Sequence, residues 1–64
     1  MANFQIIFED SVHGTQVAHF DSFIEAMEYW NEYADTETCV AGEFKTLHSD
    51  GIICEFDDRE TEVM

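Results

Sequence analysis

Apolar and polar residues alternate along the first ten positions, and that alternation is the strongest local signal in the chain. Residues 3–10, Asn-Phe-Gln-Ile-Ile-Phe-Glu-Asp, put Phe4, Ile6 and Phe8 on one face of a predicted strand. Residues 11–15, Ser-Val-His-Gly-Thr, read as a turn, and residues 15–20 as a second strand. A three-residue loop Val12-His13-Gly14 would place Gly14 in the left-handed conformation such loops need. That register pairs Phe8 with Ala18 and Ile6 with Phe20, which makes one face apolar throughout.

The period then changes from two to between three and four. A helix is expected to begin at Asp21-Ser22, where Ser22 and Glu25 have the spacing of a capping box. Phe23, Met27, Trp30 and Ala34 fall on one stripe, helped by Ile24 and Tyr33. The helix should end near Asp35, because Thr36-Glu37-Thr38 brings weak helix formers. A second hairpin follows from Cys39 to Asp57, with Ser49-Asp50-Gly51 as its loop. Pairing across that loop sets Phe44 against Phe56, Thr46 against Cys54 and His48 against Ile52, with Lys45 meeting Glu55 on the other face.

The expected fold class is therefore α+β: a two-layer β-β-α-β-β domain, a four-stranded antiparallel sheet with one amphipathic helix packed on one face. Residues 1–57 form the expected compact domain, and residues 58–64 an acidic tail expected to fray. Strand order stays open at this point, although hairpin neighbours should pair. The two hairpins are alike in outline without a residue-level repeat.

Composition changes the picture in one respect. At 64 residues, beginning with Met1 as a complete short gene product would, the chain can bury one hydrophobic core. Six Phe, two Tyr and one Trp distinguish it from a disordered acidic tail. Against that background stand fifteen Asp and Glu and only two basic residues, Lys45 and Arg59, for a formal net charge of −13. Such a charge opposes compaction, keeps the protein soluble and steers it toward positive surfaces. Direct nucleic-acid binding and anionic membranes are disfavoured, since both are attracted by Lys and Arg. Basic protein surfaces remain. No apolar run approaches a membrane span and no signal peptide is visible, so the expected location is cytoplasmic, with Cys39 and Cys54 reduced.

The charge is also patterned. Asp21, Glu25, Glu28, Glu32 and Asp35 are separated by four, three, four and three residues, which puts all five on one side of a helix over about 21 Å. Most charge runs on helices are solvated faces, but those usually interleave Lys or Arg at i,i+4. No basic residue occurs between Met1 and Gly42. Each uncompensated neighbour opposes the fold by ~0.2–0.5 kcal/mol, and Glu32 and Asp35 also sit at the negative end of the helix dipole. A negative field retained at that penalty points to use.

As a class, defined by size and charge rather than by a motif, the chain resembles the small acidic phage and mobile-element inhibitors that imitate DNA. Members of that class disable host nucleases, glycosylases, polymerases or CRISPR complexes. The resemblance implies a phage-encoded inhibitor acting in the host cytoplasm. It would occupy the basic nucleic-acid site of a host protein by competitive exclusion. Asp21, Glu25, Glu28, Glu32, Asp35 and Tyr29 would be its partner-binding residues. For close mimicry the remaining acids would have to share the helix face, because a duplex carries one charge per ~1.7 Å of axis. Dimerisation could also double the density.

Other chemistry finds less support. His13, His19, His48, Cys39 and Cys54 lack zinc-site spacing, so no metal or cofactor is expected; His13 reads as a loop-tip residue, His48 and Cys54 as strand residues. A Cys39–Cys54 disulfide is conceivable but disfavoured in the cytosol. No nucleophile motif or phosphate loop is present, and a chain this short has little room for a closed pocket, so a non-enzymatic role is expected. Trp30 belongs to the core stripe, whereas Tyr29 lies between the apolar and acidic faces and suits either core or interface. The alternative is a homo-oligomeric adaptor or structural module that uses an exposed strand edge or its aromatics, its charge serving solubility alone.

Overall fold

A computed structural model describes residues 2–48 and 51–57. Four strands and one helix follow in the expected order: β1 Phe4–Asp10, β2 Gly14–Phe20, α1 Phe23–Tyr33, β3 Cys39–Thr46 and β4 Ile52–Asp57. The sheet is antiparallel throughout, with strand order β2-β1-β3-β4. The domain is thus the two-layer α+β arrangement the hydrophobic pattern predicts. The tail, 58–64, lies outside the described residues, as do Ser49 and Asp50 of the second loop.

Sheet order follows burial. β1 and β3 hold the centre, and their inward residues Ile6, Phe8, Cys39 and Phe44 are buried. β2 and β4 carry more polar and half-exposed residues and form the edges. Because β2 and β3 both run antiparallel to β1, they are parallel to each other. A parallel pair requires a crossover, and α1 supplies it.

Both hairpin registers differ from the sequence expectation, the first by two residues throughout and the second by two as far as Phe44 and by three at Lys45. In the first, Ile6 lies opposite Ala18 and Phe8 opposite Gln16, while Phe4 meets Phe20. The cause is Asp10. Its Oδ1 accepts hydrogen bonds from the backbone N–H groups of Val12 and His13 at 2.8 and 2.9 Å, closing a turn of Ser11-Val12-His13. Gly14 then opens β2 in the left-handed region, with φ +83°. The conformation expected of Gly14 holds, although it belongs to the strand rather than to the loop. A shift of two leaves every side chain on its own face, so the apolar layer survives.

Asp10 also reaches across the sheet. Its Oδ2 accepts from the Thr38 hydroxyl at 2.8 Å, and Ser11 N–H donates to the Thr38 carbonyl at 2.8 Å. The His13 backbone N–H above all, then the Thr38 hydroxyl and the Val12 N–H, with a smaller contribution from the nearby His13 ring, hold the Asp10 carboxyl well below its ordinary 3.8, at about 2. A folded-state pKa below the unfolded one means that the unfolded chain binds its proton first as pH falls. The stabilisation is therefore complete above about pH 4 and lost as pH drops toward 2. Asp10→Asn keeps an acceptor but removes the charge. Its melting temperature should fall below wild type at pH 7, and thermal denaturation at pH 7, 4 and 2 should show the gap closing at the lowest pH. A constant gap would show that the charge is immaterial.

In the second hairpin Phe44 lies opposite Cys54, Gly42 opposite Phe56 and Glu43 opposite Glu55. An irregularity between Phe44 and Lys45 then sets Lys45 against Ile52. The expected Phe44–Phe56, Thr46–Cys54, His48–Ile52 and Lys45–Glu55 pairs are thereby corrected. Thr46 N–H donates to the Gly51 carbonyl at 3.1 Å, so β3 stops before the loop, and His48 lies beyond the strand with Nε2 2.5 Å from Asn3 Oδ1. Lys45 instead reaches Glu43 on its own strand, Nζ to Oε1 at 3.9 Å. Neither cysteine is in a disulfide; Cys39 is buried and Cys54 half-buried.

The core is aromatic. Phe44, fully buried, meets Phe4, Phe23 and Trp30 at centroid distances of 6.1, 6.0 and 5.9 Å. At the other end Tyr29 packs on Phe8 at 5.8 Å and Phe20 at 5.1 Å. Trp30 joins the two groups through Phe8 and Phe56, at 5.2 and 5.8 Å. Each close pair adds about 0.5–1.5 kcal/mol beyond its buried area.

Candidate functional site: the acidic face of the helix

α1 begins where sequence places it. Ser22 has an extended backbone (φ −113°, ψ 135°), and its hydroxyl accepts from the Glu25 N–H at 3.4 Å, satisfying one of the free donors of the first turn. At the other end Thr36 donates its N–H to the Tyr33 carbonyl at 3.3 Å, and its hydroxyl bonds the same oxygen. The helix is therefore shorter than expected, eleven residues or about 16 Å. Glu25, Glu28 and Glu32 lie on it. Asp21 precedes its cap, and Asp35 follows Ala34, which is still helical in φ and ψ.

Packing decides which way these carboxylates face. The residue nearest the sheet is Ala26, with no exposed surface, because only a small side chain lets Trp30 and Tyr29 settle on either side. Ile24, expected to help the apolar stripe, is 68% exposed and lies on the outer side instead. Tyr29 leans toward β2 through Phe20, whereas Phe23 and Trp30 lean toward β3 and β4 through Phe44 and Phe56. Glu25 and Glu32 are helical neighbours of Tyr29, four residues before and three after, so they lie on the β2 side. Asp21, Glu25, Glu28, Glu32 and Asp35 are all exposed. Glu25, Glu28 and Glu32 share one outward side of the helix, and Asp21 and Asp35 are exposed just beyond its two ends.

Tyr29, placed with them from sequence, is half-buried in the aromatic layer, 4.7 Å from Tyr33 between ring centroids. Burial raises its pKa above the ordinary 10, with a smaller contribution from Tyr33. At neutral pH its ring therefore brings no charge to the face.

A second acidic surface was not anticipated. Along β1 and β3 the residues that point away from the helix include Gln5, Ile7 and Glu9, and Ala41, Glu43 and Lys45. Of these, Ile7, Glu9, Ala41 and Glu43 line, with Glu55 and Asp57 of β4, an open trough of about 480 Å³. Glu43 and Glu55 are direct cross-strand partners, a pairing that disfavours the sheet unless solvent or a ligand screens it. The signal was present in the alternation itself, at the odd-numbered positions 7, 9 and 43, but the expected Lys45–Glu55 pair concealed it. These four acids occupy the face opposite α1, so they do not thicken the helix stripe as close mimicry of a duplex would require. The trough is lined by carboxylates without a nucleophile or imidazole. Among the described residues no group of three or more His, Cys, Asp and Glu is arranged to hold a metal ion. No helix among them is long and apolar enough to cross a membrane.

Comparison with protein-family models, with curated proteins and with solved structures finds no match to this chain.

Proposed function

We propose that the protein is a small acidic, phage-encoded inhibitor of a host nucleic-acid-processing protein, and that it works in the host cytoplasm by occupying that protein's basic nucleic-acid site. The observation that carries this reading is the run of exposed acids on and beside α1, Asp21, Glu25, Glu28, Glu32 and Asp35, in a chain of net charge −13. Among the described residues, no lysine or arginine lies on the helix or at its ends. A row of carboxylates on a rigid helix meets Lys and Arg with little ordering cost, and the long-range field speeds encounter.

The position of the remaining acids refines the mechanism. With Glu9, Glu43, Glu55 and Asp57 on the far face, the helix side is sparser than the phosphates of a duplex. Competitive exclusion then proceeds by filling a positive cleft with an acidic wedge, not by reproducing phosphate spacing. Substrate DNA or RNA and the inhibitor compete because both need the same cations.

The experiment is a pull-down from bacterial lysate with the tagged protein, washed at rising salt and analysed by mass spectrometry. The expected result is one nucleic-acid-binding protein or complex, released between about 0.1 and 1 M salt as the screening length falls from ~10 to ~3 Å, and displaced by added DNA. A partner indifferent to both salt and DNA would overturn the proposal.

A further inference from the structure

We propose that the outer edge of β2 receives an extended, lysine- or arginine-bearing segment of the partner, which adds to the sheet as a fifth strand beside the carboxylates of α1. The proposal rests on the basic partner of the preceding reading and specifies how that partner is held.

Edge strands expose unpaired N–H and C=O groups, and proteins usually protect them with charge, proline or a bulge. β4, one edge of this sheet, follows that rule: it carries Glu55 and Asp57 and is irregular against β3. β2, the other edge, does not. Its seven residues, Gly-Thr-Gln-Val-Ala-His-Phe, include no charged side chain and no proline. Its register with β1 is unbroken from Phe4–Phe20 to Asp10–Gly14. Residues 14–17 and 19 are exposed. In a chain that is 27% charged, a regular uncharged edge of this length stands apart.

Charge selects the occupant. Glu25 and Glu32 lie on the β2 side of α1, as the Tyr29–Phe20 contact establishes, so a strand added to β2 runs beside them. Side chains on alternate residues of that strand, ~6.8 Å apart, point to the helix side, where Lys or Arg meets these carboxylates. The small Ala18, on the same side of β2, leaves room for them. A second copy of this chain is a poor occupant. Antiparallel pairing of two β2 edges about a two-fold axis sets both helices on one side of the joined sheet, with the Glu25 and Glu32 sides facing each other. Main-chain bonds would then supply affinity, and the cations specificity.

The test is titration of the 15N-labelled full chain with two end-blocked octapeptides of equal charge, one alternating Lys and Val, the other alternating Lys and Pro. Proline removes the N–H groups a strand needs. The Lys-Val peptide should shift the amides of residues 15–19 and slow their exchange by ~10-fold or more, and it should bind at least ~10-fold more tightly than Lys-Pro. Val17→Lys, at a site already 52% exposed, should keep the fold and abolish that difference, whereas Ile52→Lys on the β4 edge should not. Equal binding of the two peptides, with shifts confined to α1, would overturn strand addition while leaving the acidic docking face in place. Absence of shifts with either peptide would remove both. Protection of β2 that grows with protein concentration alone, together with a doubled mass, would assign the edge to a second copy and overturn the proposal.

Discussion

Gly42→Val is expected to destabilise the fold so far that most of the chain is unfolded at 25 °C, although valine is the better strand former. Gly42 is buried in β3 opposite Phe8 on one side and Phe56 on the other. A Cβ at this position would lie 2.7 Å from Phe56 Cε1 and 2.8 and 2.9 Å from Phe8 Cδ1 and Cε1. Both rings also carry Trp30, so neither can withdraw without disturbing the contact between helix and sheet. Overpacking of this kind costs about 1–3 kcal/mol and sometimes more, against a gain of roughly 0.5–1 kcal/mol from replacing glycine in a strand. Gly42→Ala should therefore lose about 1–2 kcal/mol. Valine adds two methyl groups to the same space and should remove most of the ~3–5 kcal/mol available to a domain of this size. Urea denaturation followed by Trp30 fluorescence decides the matter. If Gly42→Val is as stable as wild type, the two rings have an alternative packing and strand propensity governs this site.

Gly42 also shows where the sequence was readable and where it was not. The alternation of Phe4, Ile6 and Phe8, the Ser22 cap and the change of period at residue 21 were sufficient for the element order, and the structure bears them out. A glycine in the middle of β3 carries no comparable signal. Its meaning depends on two phenylalanines brought beside it by pairings with β1 and β4, and strand order is not encoded locally. The registers failed for a related reason. A period of two fixes the face of each side chain but is unchanged by an even shift, so local bonds decide, here the Asp10 turn in one hairpin and the irregularity after Phe44 in the other.

The candidate site was legible to the same depth. The three-and-four spacing placed Glu25, Glu28 and Glu32 on one exposed side of the helix, whereas Asp21 and Asp35 lie exposed beyond its ends. It overestimated the helix, because the capping bonds of Ser22 and Thr36 set the ends and helical spacing does not. It also left Tyr29 undecided between core and interface, and the rings of Phe8 and Phe20 place it against the core. The acids of the open sheet face became visible only once Glu43 was found opposite Glu55.

Reversing charge on the helix should move stability and binding in opposite directions, and this is the largest effect expected on function. Glu28 and Glu32 are exposed like-charge neighbours at i,i+4, and Glu32 is the acid of the last helical turn, where no basic residue answers the dipole. Glu32→Lys replaces that repulsion with a Glu-to-Lys pair in the favourable orientation and sets a cation at the negative end of the helix. The two changes together stabilise by about 0.5–1.5 kcal/mol, a rise in melting temperature of roughly 4–8 °C per kcal/mol for a domain this small. The double change Glu28→Lys with Glu32→Lys should preserve the fold while weakening capture of the partner recovered by pull-down at least ~100-fold, since two attractive contacts become repulsive. A residue kept for solubility alone would show no such opposition: its reversal would alter stability and leave binding intact. Melting curves and affinities measured on the same two variants separate these cases. Stabilisation with unchanged affinity would remove the helix face from the mechanism. Stabilisation accompanied by lost affinity would explain why so small a domain retains acids that oppose its own folding.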